Sequence, residues 1–433
     1  MIRATAKGFR LHIGFFGRRN VGKSSLLNAI TRQTVSIVSE VPGTTTDPVE
    51  KPMEIEPIGP VLFVDTAGVD DVGALGAQRI EKTRQAIART DIGVLVTEAG
   101  AWGEFEEKLL AELRARSIPV LIALNKSDLH KPTAEQLARF ADETLLWLLV
   151  TATSGEGVDA FRELLRQAAP DETAEPQTIV RDLVPPGETA IFVMPIDKEA
   201  PKGRIKNLQV QAIRDLLDGE SSCVVVKDAG FGKALDNMKT PPSLVVTDAQ
   251  VFNQIARETP GSVPLTAFSI LLSRLKGDLV AQTQAALTIE ELRPGDKILV
   301  AETCTHHPIE EDIGRVKIPR WLESYVGGKL EFTHVKGRDF PQDLSPYKLV
   351  IHCGACMWNR QEMMSRIREC QRQAVPITNY GLVIAMAQGI LERALEPFPA
   401  ALAAYREARA EKMAWAASQR APRLAEAEVA QVN

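Results

Sequence analysis

Short apolar runs alternate with helical patterns along the first 170 residues of the chain. The runs predicted to be strands are LHIGFF (11–16), VLFVD (61–65), IGVLVT (92–97), IPVLIAL (118–124) and LLWLLV (145–150). Segments between them, such as EFEEKLLAELRAR, repeat apolar residues at helical spacing. This alternation predicts an α/β fold with a mostly parallel sheet and helices on both faces.

Two further regions alternate in the same way, which predicts two more α/β domains with parallel sheets. Their predicted strands are AIFVMPI (190–196), SCVVVKD (222–228), SLVVTDA (243–249), KILVAE (297–302), KLVIHCG (348–354) and a short one in VPITNYG. LSRLKGDLVAQTQAAL and GLVIAMAQGILERALEPF are predicted to be helices, the second ending near Pro397.

Breaks in these patterns predict the domain boundaries. The first domain covers residues 1–170, and the polar, proline-bearing stretch after it predicts a linker at 171–180. A small α/β domain at 181–264 carries no catalytic constellation, so we interpret it as an association domain. A third domain covers 265–400, and an alanine-rich tail (401–433) is expected to be partly helical and weakly anchored.

Composition narrows the classes of protein that fit. The chain has 433 residues, 25% of them charged, and a net charge of −5, which argues against a protein held mainly by nucleic-acid phosphates. It has no run of about 20 apolar residues and no leader pattern, so we expect a cytoplasmic protein without a membrane span. Its five cysteines are odd in number and partly clustered, which favours a metal site over a disulfide framework.

A glycine-rich loop with phosphate-binding spacing follows the first predicted strand. GRRNVGKSS satisfies G-x-x-x-x-G-K-S and precedes a helix, so its backbone N–H groups should cradle phosphate. Lys23 should reach the β- and γ-phosphates, and the Ser24 hydroxyl should bind Mg²⁺. The loop residues predicted to contact nucleotide are Gly17, Asn20, Val21, Gly22, Lys23, Ser24 and Ser25.

Two more motifs close later strands. In DTAG, Asp65 can hold the Mg²⁺ shell and the Gly68 N–H can meet the γ-phosphate. In NKSD, which contains Asn125 and Lys126, the Asp128 carboxylate can accept two hydrogen bonds from guanine, and adenine presents the wrong donors there. The motifs therefore predict GTP as the nucleotide.

The segment TATSGEG (151–157) completes the set, with Thr151 and a backbone N–H near Ala152 placed to contact the guanine O6. Four motifs in this order resemble the translation-factor-like GTPases, in particular the TrmE/Era-like branch. The resemblance implies that Thr45 of PGTTTD binds Mg²⁺ when γ-phosphate is present. Many relatives have a basic residue at the next position, where this chain has Thr46, and this leaves the contacts of that loop open.

GTP hydrolysis in this domain needs a catalytic group other than the usual glutamine. Val69 stands where Ras-like enzymes carry the glutamine that orients water, and the valine side chain forms no hydrogen bond. The resemblance to TrmE-like GTPases implies that Asn20 binds K⁺ beside the phosphates; alternatively, its side chain only stabilises the loop. The predicted catalytic residues are Lys23, Asn20, Thr45 and Gly68.

Cysteines and histidines gather in the third region as Cys304-x-His306 and His352-Cys353-x-x-Cys356. Both groups follow predicted strands, and if these are parallel neighbours, the three thiolates converge at one edge. Three thiolates and a histidine fit structural zinc as well as an iron–sulfur cluster. Spacing alone leaves both open.

The combination of a TrmE-like GTPase domain, a middle α/β domain, CTHH and HCGAC resembles the HydF family of [FeFe]-hydrogenase maturation GTPases over nearly the whole chain. The resemblance implies a [4Fe–4S] cluster on Cys304, Cys353 and Cys356. It also implies an exchangeable fourth site where a transient 2Fe subcluster precursor docks. The implied partners are two radical S-adenosylmethionine maturases, apo-[FeFe]-hydrogenase and a second copy of the chain.

The fourth cluster ligand stays open between three histidines. His306 is the first choice because of its spacing from Cys304, His352 is the second, and His307 is the third. Each could instead donate a hydrogen bond to a cluster sulfur. Two rival functions also stay open: an RNA-directed GTPase of ribosome assembly or tRNA modification, and a zinc-stabilised GTP-dependent switch.

Overall fold

The structure, a computed structural model, describes residues 5, 7–32, 48–66, 82–141, 145–169, 178–196, 205–303 and 312–414. The chain divides into two compact units. One contains residues 1–176 and 357–365, and the other contains 177–356 and 366–433.

A six-stranded sheet forms the centre of the first unit. Its strands are β1 (Leu11–Phe16), β2 (Val49–Ile55), β3 (Gly59–Asp65), β4 (Ile92–Glu98), β5 (Val120–Asn125) and β6 (Leu146–Leu149), and its helices are α1 (Lys23–Thr31), α2 (Glu104–Ala115), α3 (Ala134–Phe140) and α4 (Val158–Ala168). The strand order is β2-β3-β1-β4-β5-β6, and every neighbouring pair is parallel except β2 with β3.

Both faces of this sheet are buried, which explains why its central strands are nearly continuous apolar runs. On one face, Phe15 packs in a cluster with Leu26 of α1 and Phe161 of α4. On the other face, Phe16 packs in a cluster with Leu110 of α2. The predicted parallel sheet with helices on both faces is confirmed.

The second unit contains two four-stranded sheets with all neighbours parallel. Their orders are β10-β9-β7-β8 and β12-β11-β13-β14. The strands are β7 (Thr189–Val193), β8 (Ser222–Val226), β9 (Leu244–Thr247), β10 (Leu265–Ala267), β11 (Lys297–Glu302), β12 (Glu331–Lys336), β13 (Leu349–His352) and β14 (Ile377–Asn379). The helices are α5 (Asn207–Asp218), α6 (Phe231–Asp236), α7 (Phe252–Glu258), α8 (Phe268–Lys276), α9 (Leu279–Ala286), α10 (Ile318–Val326), α11 (Arg360–Arg372, which begins in the first unit), α12 (Tyr380–Ala387) and α13 (Leu391–Leu395).

Two predicted helices are each divided in two. Gly277 ends α8, and the Asp278 side chain accepts a hydrogen bond from the Ala281 N–H (2.9 Å), which caps a new helix, α9. Gly389 has φ +71°, a conformation that favours glycine and separates α12 from α13. The apolar pattern runs through both breaks, so periodicity alone does not reveal them.

The second unit begins earlier than the predicted boundary at 181. Three consecutive backbone N–H groups, of Ile179, Val180 and Arg181, donate to one Asp215 carboxylate oxygen at 2.9, 2.7 and 2.9 Å. Residues 178–180 are therefore ordered with this unit, whereas most of the predicted linker lies outside the described residues. Strand β10 pairs with β9, so residues 265–267 complete the first sheet of the unit and do not open the third region.

The alanine-rich tail is helical over 399–414, as predicted for part of it. It is better anchored than expected, because Tyr405 is buried and Lys412 Nζ donates to the Leu287 carbonyl at 2.9 Å. Residues 415–433 lie outside the described part of the chain. None of the helices in the described ranges has both the length and the apolar character that crossing a bilayer requires.

Candidate functional site

The loop between β1 and α1 has positions that only glycine can occupy. Gly17 has φ +146° and Gly22 has φ +91°. A Cβ atom at Gly17 would lie 2.1 Å from the Val96 carbonyl oxygen, and one at Gly22 would lie 2.2 Å from Nδ2 of Asn125. The glycines therefore let the loop turn tightly over the sheet edge and lead directly into α1, as a phosphate-binding loop must.

Lys23 is buried inside this loop at the first position of α1. Its Nζ donates to the carbonyl oxygens of Gly17 (3.0 Å) and Arg18 (2.6 Å). The loop thus curls around an ammonium group at a helix N-terminus. Both the charge and the helix dipole favour an anion there.

Two of the predicted Mg²⁺ residues lie side by side. The Ser24 hydroxyl donates to Oδ2 of Asp65 at 2.6 Å, because β1 and β3 are parallel neighbours and α1 starts at the same edge as the end of β3. A hydroxyl and a carboxylate are oxygen ligands of the kind Mg²⁺ prefers. Thr45 and Gly68, together with the rest of PGTTTD and Val69, lie outside the described residues.

Asn20, the predicted K⁺ ligand, stands at the outer side of the loop. It has a left-handed backbone (φ +59°), a conformation that asparagine tolerates better than most residues, and its side chain is exposed. The side chain is therefore open to solvent and to ions. Binding of K⁺ stays a prediction.

Asn125 of NKSD joins two loops of the nucleotide site. Its side chain is buried, Nδ2 donates to the Val21 carbonyl at 2.8 Å, and Oδ1 accepts from the Ala152 N–H at 3.1 Å. The hydroxyls of Ser127 and Thr151 lie 3.0 Å apart and connect NKSD to the segment that begins at Thr151. The phosphate loop and the base-side loops are thus held in one arrangement.

The other NKSD residues differ in exposure. Asp128 is exposed, as a residue that reads a bound base must be before binding. Lys126 has φ +56° and forms an ion pair with Glu98 at the end of β4. This ion pair was not predicted from the sequence, although Glu98 ends the strand beside the one that leads into NKSD.

A second missed ion pair braces the phosphate loop. The Arg18 guanidinium donates to both carboxylate oxygens of Glu106 at 2.7 and 2.9 Å, and Glu106 is buried at the start of α2. Two parallel hydrogen bonds of this kind fix orientation as well as distance. Charged residues separated by about 90 positions carry no sequence signal that pairs them.

In the second unit, β11 and β13 are parallel neighbours, as the convergence of the cysteines requires. The Cys353 N–H donates to the Ala301 carbonyl at 2.9 Å, which extends the pairing beyond β13. The Thr303 N–H lies 3.2 Å from Cys353 Sγ. Thr303 directly precedes Cys304, so the chain reaches the Cys353 thiol one residue before the third cysteine.

The Thr303 N–H directed at Cys353 Sγ suits a metal-bound thiolate, whether in a zinc site or in an iron–sulfur cluster. Backbone N–H groups directed at cysteine sulfur are a usual feature of such sites. Cys304, His306 and His307 lie outside the described residues. Within the described ranges, no three metal-binding side chains group together.

His352 is poorly placed to be the fourth ligand, contrary to the second of our three expectations. Its ring is buried, with Nδ1 2.7 Å from the Cys353 carbonyl and Nε2 2.8 Å from Nη1 of Arg366. A carbonyl oxygen only accepts, so we assign the proton to Nδ1, and Nε2 then accepts from the guanidinium. Burial, followed by the Arg366 charge, lowers the pKa of His352 to about 3, and both nitrogens are already engaged.

Glu302 is a nearby polar residue that the sequence analysis missed. It ends β11, two residues before Cys304, and is buried. Oε1 accepts from the Tyr380 hydroxyl at 3.2 Å; Oε2 has the Arg315 Nε at 3.9 Å and no hydrogen-bond donor among the described residues. Burying a carboxylate costs free energy unless a hydrogen-bond donor or a metal compensates it. In the sequence, the signal for such a residue is a charged side chain at the end of an apolar strand.

Burial, followed by the neighbouring Cys353 and Glu302, raises the pKa of Tyr380 well above its usual value. The hydroxyl therefore stays protonated and donates to Glu302. The carboxylate is held at the sheet edge that Cys353 follows.

Two family models match the second half of the chain. The hydrogen maturase F dimerization domain matches residues 179–277, and the hydrogen maturase F tetramerization domain matches residues 280–397. Together they cover half of the chain. The chain belongs to the hydrogen maturase F family. A third model, described as a 50S ribosome-binding GTPase, matches residues 12–126.

Individual curated relatives match a little over a third of the chain. A GTPase Der from Wolinella succinogenes is 34% identical over 163 residues, which are 35% of this chain and 34% of that protein. A tRNA modification GTPase MnmE from a Synechococcus strain is 36% identical over 168 residues, 38% of this chain and 34% of that protein. The chain thus spans about a third of the length of these curated relatives.

Among solved structures, Era from Aquifex aeolicus bound to GDP and aluminium fluoride is 20% identical, with a TM-score of 0.34. The match covers 50% of this chain and 94% of that one.

The two hydrogen maturase F models divide the proposed cluster region. All three cysteines of the predicted cluster fall in the 280–397 segment, whereas α8 falls in the 179–277 segment.

Proposed function

We propose that this hydrogen maturase F chain is a cytoplasmic scaffold that hydrolyses GTP and holds a [4Fe–4S] cluster on Cys304, Cys353 and Cys356. It would deliver a 2Fe precursor to apo-[FeFe]-hydrogenase. The main support for cluster binding is the 3.2 Å contact between the Thr303 N–H and Cys353 Sγ. This contact brings the residue before Cys304 to the Cys353-x-x-Cys356 loop.

The geometry of the first unit supports the proposed GTP binding and hydrolysis. Lys23 and the N-terminus of α1 would bind the β- and γ-phosphates, while Ser24 and Asp65 would hold Mg²⁺. Water attacks the γ-phosphorus, the bond to the bridging oxygen breaks, and GDP and phosphate leave. The Val69 side chain cannot orient that water by a hydrogen bond. Asn20 would hold a cation beside the phosphates, which would supply the missing electrostatic stabilisation.

The proposed docking of the precursor requires that one iron of the cluster has a weaker ligand than the other three. When bound, the cluster offers one iron that no cysteine of this chain holds. A histidine or carboxylate leaves that iron more readily than a thiolate does, so an incoming precursor can displace it. His306 and His307 remain the candidates from the sequence, and the position of Glu302 adds an oxygen ligand to them.

Assembly and partner exchange complete the proposal. The half-exposed strand β8 at one edge of its sheet, with Val225 43% exposed, suits pairing with a second copy. Two radical S-adenosylmethionine maturases would supply the precursor, and the nucleotide state would regulate partner exchange. Such coupling requires partners to bind one nucleotide state more tightly than the other.

Two rival functions lead to different results in one experiment. An RNA-directed GTPase is favoured by the match of residues 12–126, and a zinc-stabilised switch fits the same cysteines. The chain, purified anaerobically and reconstituted with iron and sulfide, should show a [4Fe–4S] signal by electron paramagnetic resonance. Loaded with precursor by its maturases, it should activate apo-hydrogenase. The proposal would be contradicted if the purified protein contains zinc and no iron, once loss of a cluster during handling has been excluded. It would also be contradicted if the chain binds RNA in a salt-sensitive way and does not activate apo-hydrogenase.

Potassium should accelerate GTP hydrolysis. We expect a rate about tenfold or more higher in K⁺ than in Na⁺ at equal ionic strength, because a cation beside Asn20 would offset charge that develops on the phosphates. Asn20→Ala should remove the difference, while Asn28→Ala on α1 should keep it. Phosphate release measured in both salts tests this. Equal rates in the two salts for the unsubstituted chain would refute the role of K⁺.

A further inference from the structure

Lys276 is a buried lysine of the second unit that the proposed function does not yet use. It is the last residue of α8 and is 3% exposed. Its Nζ lies 3.3 Å from the carbonyl oxygen of Ala355 and 3.3 Å from that of Cys356. Lysine is seldom buried to this extent, because removing an ammonium group from water is costly unless other groups compensate it.

The same face of α8 also supports the loop sterically. Leu272 lies one turn before Lys276, and a Cβ atom added to Gly354 would lie 3.0 Å from its Cδ1. Ala355 has φ +50°, a left-handed conformation that an alanine adopts only when its surroundings impose it. The backbone between Cys353 and Cys356 is therefore held from one side by α8.

We propose that Lys276 is a positioning residue for the proposed iron–sulfur cluster. It fixes the Cys353-x-x-Cys356 loop through the two carbonyl groups, and it places a positive charge beside the thiolates. The inference rests on the proposed function for its second part only. Holding of the loop is a property of the apo protein and can be measured without a cluster.

The charge has a definite consequence for the redox state. Three thiolates give a [4Fe–4S] centre net negative charge, and reduction adds one more negative charge. A nearby ammonium in a region of low dielectric stabilises the reduced form more than the oxidised form. Lys276 therefore raises the reduction potential of the bound cluster.

The test compares Lys276→Met, Lys276→Arg and a control, Lys297→Met, in the full-length chain. Methionine keeps the length of the side chain and is at home in a buried site, so K276M should fold. Lys297 is half-exposed at the opposite end of β11, and its replacement removes the same charge far along the strand from the cysteines. Two quantities are measured: hydrogen–deuterium exchange of the peptide covering 353–358 in the apo protein, and the reduced fraction of the reconstituted cluster at fixed potentials by electron paramagnetic resonance.

In K276M, we expect that peptide to exchange about threefold faster or more while the thermal unfolding of the chain is not lowered. The ratio of reduced to oxidised cluster at a given potential should fall about tenfold, equivalent to 59 mV for one electron. K276R should retain most of the wild-type potential, and K297M should match wild type in both measurements. Unchanged exchange in K276M overturns the positioning role, and an unchanged potential overturns the role of the charge.

Failure of the proposed function would be recognised separately. If the unsubstituted chain binds no iron–sulfur cluster, the cluster assignment fails. Faster exchange of 353–358 in the apo K276M protein would still support Lys276 as the residue that holds the loop, whatever metal the cysteines bind.

Discussion

Replacing Cys353 by alanine is expected to remove at least about nine-tenths of the iron and sulfide that the reconstituted chain retains, and with it the activation of apo-hydrogenase. Loss of one of three thiolates leaves a cluster with only two strong ligands, which is not held. The same result is expected for Cys356→Ala and Cys304→Ala. Iron and sulfide analysis after anaerobic desalting gives the measurement.

Two other cysteines provide matched controls. Cys370 is fully buried in α11 and Cys223 lies in β8, and burial raises the pKa of each thiol to about 12, so both stay protonated. A protonated, buried thiol is a packing group and not a ligand. Cys370→Ala and Cys223→Ala should therefore retain iron as the unsubstituted chain does. A chain that keeps its full iron content without Cys353 would exclude the proposed site.

Replacing Asp128 by asparagine is expected to weaken GTP binding by about 100-fold and to improve binding of xanthosine triphosphate. In the proposed site, the Asp128 carboxylate would accept hydrogen bonds from two guanine N–H groups. Asparagine has one acceptor oxygen, and its amide would face a donor. Xanthine has a carbonyl in place of the exocyclic amine, so the amide of asparagine can donate to it. Equilibrium titration with a fluorescent analogue of each nucleotide measures the change.

Asp159→Asn is the control for this exchange of specificity. Asp159 lies in the first turn of α4 in the same unit, is 90% exposed in its side chain and pairs only with the neighbouring Arg162 among the described residues. It should bind both nucleotides as the unsubstituted chain does. If D128N binds GTP with unchanged affinity, the assignment of Asp128 as the guanine reader is wrong.

The strands that the sequence analysis found and those it missed differ in their position in the sheets. Most strands predicted from apolar runs, such as β1, β4, β5 and β11, are central in their sheets. The three unpredicted strands β2, β10 and β12 are all at edges. An edge strand has a side open to water and can carry charged residues, as VEKPMEI and EFTHVK do, so its pattern is weak.

Contacts between side chains far apart in the chain also could not be predicted from the sequence. The bidentate contact of Arg18 with Glu106 and the engagement of both His352 nitrogens depend on which elements pack together. Side chains on separate elements meet only once the sheets and helices are assembled. A histidine next to a cysteine therefore suggests a ligand in the sequence, although in the folded chain its ring is already occupied.

By itself, the sequence determined the order of the nucleotide motifs, the parallel α/β character of the fold and the cysteines at the ends of β11 and β13, because these depend on local spacing and on burial of whole strands. Only the tertiary structure decided that Thr303 contacts Cys353, that Glu302 is buried at the same edge and that Lys276 lies under the cysteine loop. These contacts join residues up to 80 positions apart. Their existence depends on strand order and helix packing, which local patterns do not specify.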